Sequence, residues 1–328
     1  MLDARARLLQ LRAYLLEHTD ERHSVTVREI IAHLELAGYA ADRRAVYSDI
    51  ELLRESGLDI RVHRHKANEY YLHARVFERT ELRLLTDMVR ASRVLSREHS
   101  LALIEKLASL GSRYDAAWLK RQGGAVGPYK AESETAYSNA AQILAALERG
   151  GKLSFLYCQF AAKKALSPKR GGEAYIVSPC LLIYAEDHYY LIADHPSHEG
   201  LVHYRLDKME QVCALDEPAV PLDASFDAAA YARTVFSMAP AQQRWVHLSF
   251  DRQMIGTMLD RFGADVPVEP LDEQTYALFA PVRVSAPFYG WVFQFGGKVK
   301  ILAPDDVREQ MLLMLEAYRM TEHSHSIR

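Results

Sequence analysis

From Ala41 to Gly57 the chain reads ADRRAVYSDIELLRESG, and winding it at about 100° per residue sorts the positions by type. Ala45, Val46, Ile50, Leu52 and Leu53 fall on one side; Arg43, Arg44, Tyr47, Ser48, Glu51 and Arg54 fall on the other. Asp42 is placed to cap this helix and Gly57 to stop it. Asp49 lands on the apolar arc, which fits a structural hydrogen-bonding residue and not a base reader. Upstream, Leu8, Leu11 and Leu15 recur at helical spacing and predict a first helix ending near His18. Thr26 and Glu29 form a T-x-x-E capping box, Ile30, Ile31 and Leu34 supply the buried stripe of a second helix, and Gly38 ends it. Only Tyr39, Ala40 and Ala41 precede the Asp42 cap, so the two helices make a helix-turn-helix. Leu58, Ile60 and Val62 then alternate, a polar turn follows, and Tyr70 and Leu72 complete a β-hairpin. A hairpin in that position is the wing of a winged helix. Its tip, Arg61 to Lys66 (RVHRHK), is the most basic run in the chain.

The pattern changes twice more. Thr80 is read as the cap of a helix carrying Leu82, Leu85 and Val89, and Ser96 as the cap of one carrying Leu103, Ile104, Leu107 and Leu110. Residues 121–134 (RQGGAVGPYKAESE) form a glycine-rich linker, and another helix runs from about Thr135 to Glu148. These helices suit a dimer seam and intrachain packing equally. From residue 151 strands dominate: KLSFLYC, YIVSPCLLIYAE, HYYLIAD and LVHYRLDKMEQV, with a turn at Lys169–Gly172, the makings of a small barrel. Period-2 alternation puts Tyr189, Leu191 and Ala193 on one face and His188, Tyr190 and Ile192 on the other; His203 and Arg205 point together. Tyr190, His203 and Arg205 thereby gather on a surface suited to an anion. Tyr157, on the barrel's first strand, is a further candidate, with core packing as its alternative. The final stretch reads strand (RWVHLSF), helix (Ile255, Leu259 and Phe262 inward), strand pair, short helix, strand, and a last helix from Asp305. That β-α-β-β-α-β order is ferredoxin-like. Trp291 and Phe295 are assigned to its core.

The fold class that results is α+β and multidomain. A winged helix-turn-helix spans 1–75, a helical linker 76–150, a small β-barrel 151–217 and a ferredoxin-like domain 240–322. Composition narrows the function. The net charge of -3 argues against indiscriminate coating of nucleic acid but leaves room for a local basic patch. No apolar run approaches the ~20 residues of a membrane span, and Arg and Gln interrupt the N-terminal apolar stretch, so the expected location is the cytoplasm with no membrane partner. Cys158, Cys180 and Cys213 have no C-x-x-C pair and read as reduced and structural. There is no H-E-x-x-H, G-x-S-x-G, phosphate loop or dinucleotide fingerprint. The reading is therefore no enzyme, no cofactor and no metal site; His323-x-His325 near the end offers at most weak ligation.

HYYLIAD followed by HYRLDKM resembles the WYL domain, named for a Trp-Tyr-Leu triplet ahead of an R-x-F-R-L-D-R-[IL] strand. Tyr189, Tyr190 and Leu191 occupy the triplet; Tyr204, Arg205, Leu206, Asp207, Lys208 and Met209 follow the second motif. Val202 stands where that motif begins with Arg, and Pro179 also fits. The W-x-x-x-F-G and I-L-A-P runs near the end are similar to the extension that follows WYL barrels. The resemblance implies an Sm- or SH3-like barrel that senses a ligand in a bacterial transcription regulator, with nucleotides or nucleic-acid fragments as effectors of some members and phage-defence or DNA-damage genes among the targets. Tyr190, His203 and Arg205 are the positions it carries over. The expected function is a regulator, a repressor by preference, binding an inverted-repeat operator in double-stranded DNA as a homodimer and answering an anionic, nucleotide or oligonucleotide effector. Arg43 and Arg44 would enter the groove, with Tyr47, Ser48, Arg61, Arg64 and Lys66 on the backbone. The competing reading is a single-strand-sensing accessory protein whose winged helix contacts other proteins.

Overall fold

The computed structural model describes residues 4–64, 67–122, 130, 134–160, 166–223, 225–239 and 241–325; the side chains of 122, 160 and 320–325 are outside that description. Lys66, most of the glycine-rich stretch and the side chains of His323 and His325 therefore lie outside the described residues. The protein is a mixed helix-and-sheet chain in two compact units, residues 1–134 and 135–328.

The first unit opens with α1 (Ala4–His18), β1 (Val25–Thr26), α2 (Val27–Leu36), α3 (Arg43–Glu55), β2 (Ile60–Arg64) and β3 (Asn68–Leu72). The capping box is present: Thr26 Oγ1 accepts from the Glu29 N–H at 3.2 Å, and Glu29 Oε2 accepts from the Thr26 N–H at 2.7 Å. Asp42 caps α3 by accepting the Ala45 N–H at 2.7 Å. Gly38 and Gly57, at φ of 86° and 100°, let the chain leave α2 and α3 in the left-handed region that side-chain-bearing residues avoid. Leu11, Leu15, Ile30, Leu34, Val46, Ile50 and Leu53 meet Ile60 and Leu72 of the hairpin in one core. Each fully buried aliphatic chain there contributes roughly 1.5–3 kcal/mol. Leu52 departs from the expected inward set and is 48% exposed, because the hairpin covers only the arc of Val46, Ile50 and Leu53. The three short strands pair antiparallel in the order β1-β3-β2.

Three further helices complete this unit: α4 (Arg79–Ala91), α5 (Arg97–Ala108) and α6 (Arg113–Gln122). Glu78, not Thr80, caps α4; its backbone N–H donates to Glu81 Oε2 at 2.8 Å, which leaves Thr80 exposed inside the first turn. Leu110, expected on the buried stripe, follows the end of α5 and is 46% exposed. Ser112 donates to Asp20 Oδ2 at 2.7 Å and so ties the head of α6 to the loop after α1. A Cβ at Gly111 would stand 2.9 Å from Asp115 Cβ and 3.2 Å from Leu82 Cδ1, so glycine permits the close approach there. The expected linker of 76–150 is accordingly divided: α4 to α6 pack with the N-terminal elements, and the next helix belongs to the second unit.

That second unit begins with α7 (Thr135–Arg149) and continues through β4 (Gly151–Phe160), β5 (Leu166–Pro168), β6 (Tyr175–Ala185), β7 (His188–Asp194), β8 (Leu201–Arg205) and β9 (Met209–Pro218). The sheet runs β5-β4-β6-β7-β8, and β9 returns to pair with β4 on its other side, so the sheet curls towards a half-barrel. The expected single strand LVHYRLDKMEQV is broken. A 3-10 turn at Leu206–Lys208 separates β8 from β9, which lets β8 pair with β7 and β9 with β4. Asn139 of α7 donates from Nδ2 to the carbonyls of Leu206 and Met209, fixing the helix against that turn.

After α8 (Ala228–Thr234) come β10 (Gln243–Asp251), α9 (Ile255–Phe262), β11 (Val268–Pro270), β12 (Thr275–Arg283), α10 (Ala286–Phe293), β13 (Val299–Ala303) and α11 (Asp305–His325). The sheet order is β11-β12-β10-β13, with every neighbouring pair antiparallel. Its inner face, with Val246, Leu248, Phe250, Leu278 and Val282, meets Met258 of α9 and Phe288 and Val292 of α10. Met258, not Leu259, is the fully buried residue of α9. Trp291 and Phe295 pack against this core as partly buried residues.

Candidate nucleic-acid interface and effector face

On α3 the outward side is open. Arg43, Arg44, Tyr47 and Ser48 are all exposed, and neither arginine has a hydrogen bond or ion pair among the described residues. Two guanidiniums at the first turn of a capped helix, followed by a phenol and a hydroxyl, can pair with base edges and phosphates. Beneath them Asp49 is 5% exposed and accepts from Arg7 twice, Nε to Oδ2 at 2.8 Å and Nη2 to Oδ1 at 3.1 Å. This clamp joins α1 to α3 and gives Asp49 the structural role read from its position. Arg54, sorted outward by the helical wheel, is engaged: its Nε donates to the Ile60 carbonyl at 2.8 Å and its Nη1 to Glu51 Oε1 at 2.6 Å.

On the hairpin, Arg64 is exposed without a partner among the described residues, whereas Arg61 is held by Asp59 through two bonds of 3.1 Å. That arginine's charge is thereby offset locally by a carboxylate. His63 stacks on Tyr71 with ring centroids 4.3 Å apart.

The expected effector face looks different. Tyr190 is paired opposite Arg205, and Ile192 opposite His203, so Tyr190, His203 and Arg205 do share one side of the β7–β8 ribbon. That side is not open, which corrects the expectation for two of the three. Tyr190 is 8% exposed and lies in a core with Ile192, Tyr231, Val235 and Met238. His203 has Nδ1 2.6 Å from the Met238 carbonyl and Nε2 2.6 Å from the Tyr231 hydroxyl, so both nitrogens are occupied. Burial holds its imidazole below the usual value, an effect that Arg283 reinforces. The segment after β9, with α8, covers this face. No signal in the alternation of β7 itself announces that cover.

Arg205 is bound to Asp207 through Nε–Oδ1 at 3.0 Å and Nη2–Oδ2 at 2.7 Å. Its guanidinium is partly exposed and so remains within reach of the surface. Burial disfavours the Asp207 charge, but the Arg205 bond and the charges of Arg205, His188 and Lys208 together outweigh it and keep the carboxyl below its ordinary value. Lys208 is pushed down by burial and by the nearby Arg205 and Lys169 charges, so three cations share this neighbourhood with one carboxylate. Tyr157 belongs to it: its hydroxyl accepts the Arg205 N–H at 3.2 Å, and Lys169 Nζ stands 5.5 Å from its ring centroid. The turn at Lys169–Gly172, which brings Lys169 here, was not singled out as a site from sequence. Among the described residues no three His, Cys, Asp or Glu side chains gather as a metal site, and no helix is long and apolar enough to cross a membrane.

Comparison with known proteins agrees with the two sheets. Residues 138–214 match the WYL domain and residues 242–318 match the WCX domain. The first match begins inside α7, the helix that the fold assigns to the curled sheet. No curated protein matches the chain. Among solved structures, the proteasome accessory factor B/C (PafBC) of Arthrobacter aurescens is similar at 22% identity and a TM-score of 0.29, covering 94% of this chain. This chain spans only 47% of that one. A CRISPR Cas-related protein is similar at 12% identity and a TM-score of 0.36, covering 76% of this chain and 72% of its own.

Proposed function

We propose that this chain, a member of the WYL-domain proteins, is a ligand-responsive transcription regulator that reads duplex DNA through α3. The observation that carries the reading is the pair Arg43 and Arg44, exposed and without partners among the described residues at the capped start of a helix whose other side is buried. In this reading the first three helices and the β2–β3 hairpin are a winged helix-turn-helix, with Arg44 on a base edge and Tyr47, Ser48, Arg61, Arg64 and Lys66 on the backbone. One such module makes few contacts, so the active species is a homodimer on an inverted repeat. The curled sheet serves as the Sm- or SH3-like sensor, and the β13-β10-β12-β11 sheet as a ferredoxin-like companion. The protein works in the cytoplasm by binding and not by catalysis.

For the effector we keep an anionic, nucleotide or oligonucleotide ligand and narrow its seat to Arg205, Lys208, Lys169 and Tyr157. Tyr190 and His203 then support the wall behind it. Fluorescence anisotropy with duplex DNA from upstream of the chain's own gene, over a salt series, tests the regulator. Nanomolar binding with strong preference over scrambled duplex is expected; equal, weak binding to every duplex would remove it. A second reading, single-strand sensing, is favoured by one observation. Trp245 and Phe279, each 54% exposed on the open side of the second sheet, stack with centroids 5.0 Å apart, as bases find useful. Tighter binding to single strands than to any duplex would select it.

A further inference from the structure

A half-open cleft of about 1010 Å³ lies in the first unit, between α1 with the hairpin's flanks and the helices that follow. One wall comes from α1 and from the connections on either side of the hairpin; the other comes from the end of α5 and from α6. Its size is at the upper end of the roughly 300–1,000 Å³ typical of small-molecule pockets. Small residues create the space, since Ala13, Ala74, Ala116 and Ala117 stand where larger side chains would fill it. Apolar groups at its mouth are left in water: Val76 is 91% exposed and Leu110 46%.

The charged lining is not balanced. Asp59 is taken up by Arg61, and Lys120 by Glu105 at 2.9 Å. Arg12 and Arg113 have no acidic partner among the described residues. Arg75 donates from Nη2 to the carbonyls of Leu16 and Thr19, while its buried Nε finds no acceptor. Glu17 is the one acidic residue of the lining outside those pairs. An apolar floor beside Arg12 and Arg113, which lack an acidic partner, and the unsatisfied Nε of Arg75, whose charge Asp115 and Asp20 already offset in part, suits a ligand with a hydrocarbon or aromatic body and a single anionic head.

We propose that this cleft is a second ligand site, separate from the curled sheet, that takes a small amphipathic organic anion of the fatty-carboxylate kind. The ligand's body lies along Ala116 and Ala117, and its head meets Arg75 with Arg12 or Arg113. Because the two walls belong to the hairpin-bearing module and to α5–α6, occupancy stiffens the joint between them. The effect of that stiffening on DNA affinity rests on the regulator reading; the binding itself does not.

The test is isothermal titration of the full chain with octanoate and, separately, with octanol. Octanoate is expected to bind about tenfold more tightly than octanol. Ala117→Trp, which fills the space, should abolish both isotherms. The double change Arg12→Glu and Arg113→Glu, on exposed positions, should weaken octanoate about tenfold and leave octanol unchanged. Octanol binding as tightly as octanoate, or octanoate binding the double variant as it binds wild type, would overturn the proposal. Should Ala117→Trp fail to fold, the exposed arginine pair decides alone. No DNA enters the titration, so its failure and that of the regulator reading are separable.

Discussion

The outward side of α3 and the β7–β8 ribbon both carry the pattern of a polar surface, and they have opposite fates. On α3 Arg43, Arg44, Tyr47 and Ser48 stay in water, and neither arginine is paired among the described residues; Arg54 is the outward position that is engaged. On the ribbon they are consumed, His203 by Met238 and Tyr231, and Arg205 by Asp207. A helix packed by one stripe leaves its far side wet, so helical phase tells which residues are available at all but the positions a neighbouring element reaches or leaves uncovered, as Arg54 and Leu52 show. A strand in a curled sheet can be buried on both sides. Leu191 and Ala193 are fully buried on one side of β7, while Ile192 and Tyr190 are buried on the other. Alternation then separates two interiors and not an interior from a surface.

The sharpest way to break this comparison is Asp49→Ala. It leaves Arg7, only partly exposed, facing a buried gap, and is expected to cost about 3 kcal/mol in denaturant unfolding of the first unit. A melt equal to wild type would mean that this polar residue on α3 is not structural. Arg44→Ala should do the reverse. It is expected to leave stability within about 0.5 kcal/mol of wild type and to cost ~1–3 kcal/mol in operator binding, with relaxed preference at one base pair. Unchanged operator affinity would remove Arg44 as a reader.

Arg205→Ala should lower stability by up to about 1 kcal/mol, a small figure because the Arg205–Asp207 pair is partly solvated. It should also remove effector binding to the curled sheet; retention of both stability and effector would sink that seat. His203 predicts a pH effect. Unfolded, its imidazole takes a proton near the ordinary value of about 6.5, while the folded ring resists. The contribution is therefore complete above that value and is lost as the pH falls below it. His203→Gln should flatten the acid side of the stability curve, whereas an unchanged slope would show that burial there is incomplete. The smallest effect belongs to the wing. Arg64→Ala should weaken every duplex alike and reduce the salt slope by about one, and any change in sequence preference would contradict its backbone role.

Much of the first unit was legible because its signals are local. The Thr26–Glu29 box, the Asp42 cap, the Gly38 and Gly57 exits and the hairpin each occupy a few consecutive residues. The order of elements from 243 to 303 was legible for the same reason. Most misplacements arose where a distant partner decides; the Thr80 cap is the exception, displaced by the local Glu78–Glu81 box. Leu52 is exposed because of where the hairpin stops, and β8 ends at Arg205 because β9 has β4 to join. The buried state of His203 depends on Tyr231 and Met238, 28 and 35 residues further along. No periodicity within LVHYRLD could register them.

Arg54 carries one more consequence. By bonding the Ile60 carbonyl while anchored in α3, it turns helix and hairpin into a single rigid gauge, with Gly57 as the fold in the metal. Such a gauge measures distance as well as chemistry. Under the proposed regulator function, any duplex it accepts must offer its groove edge and its flanking phosphates at one fixed interval. Inserting a single base pair between those features should therefore defeat recognition even when every contacted base is kept.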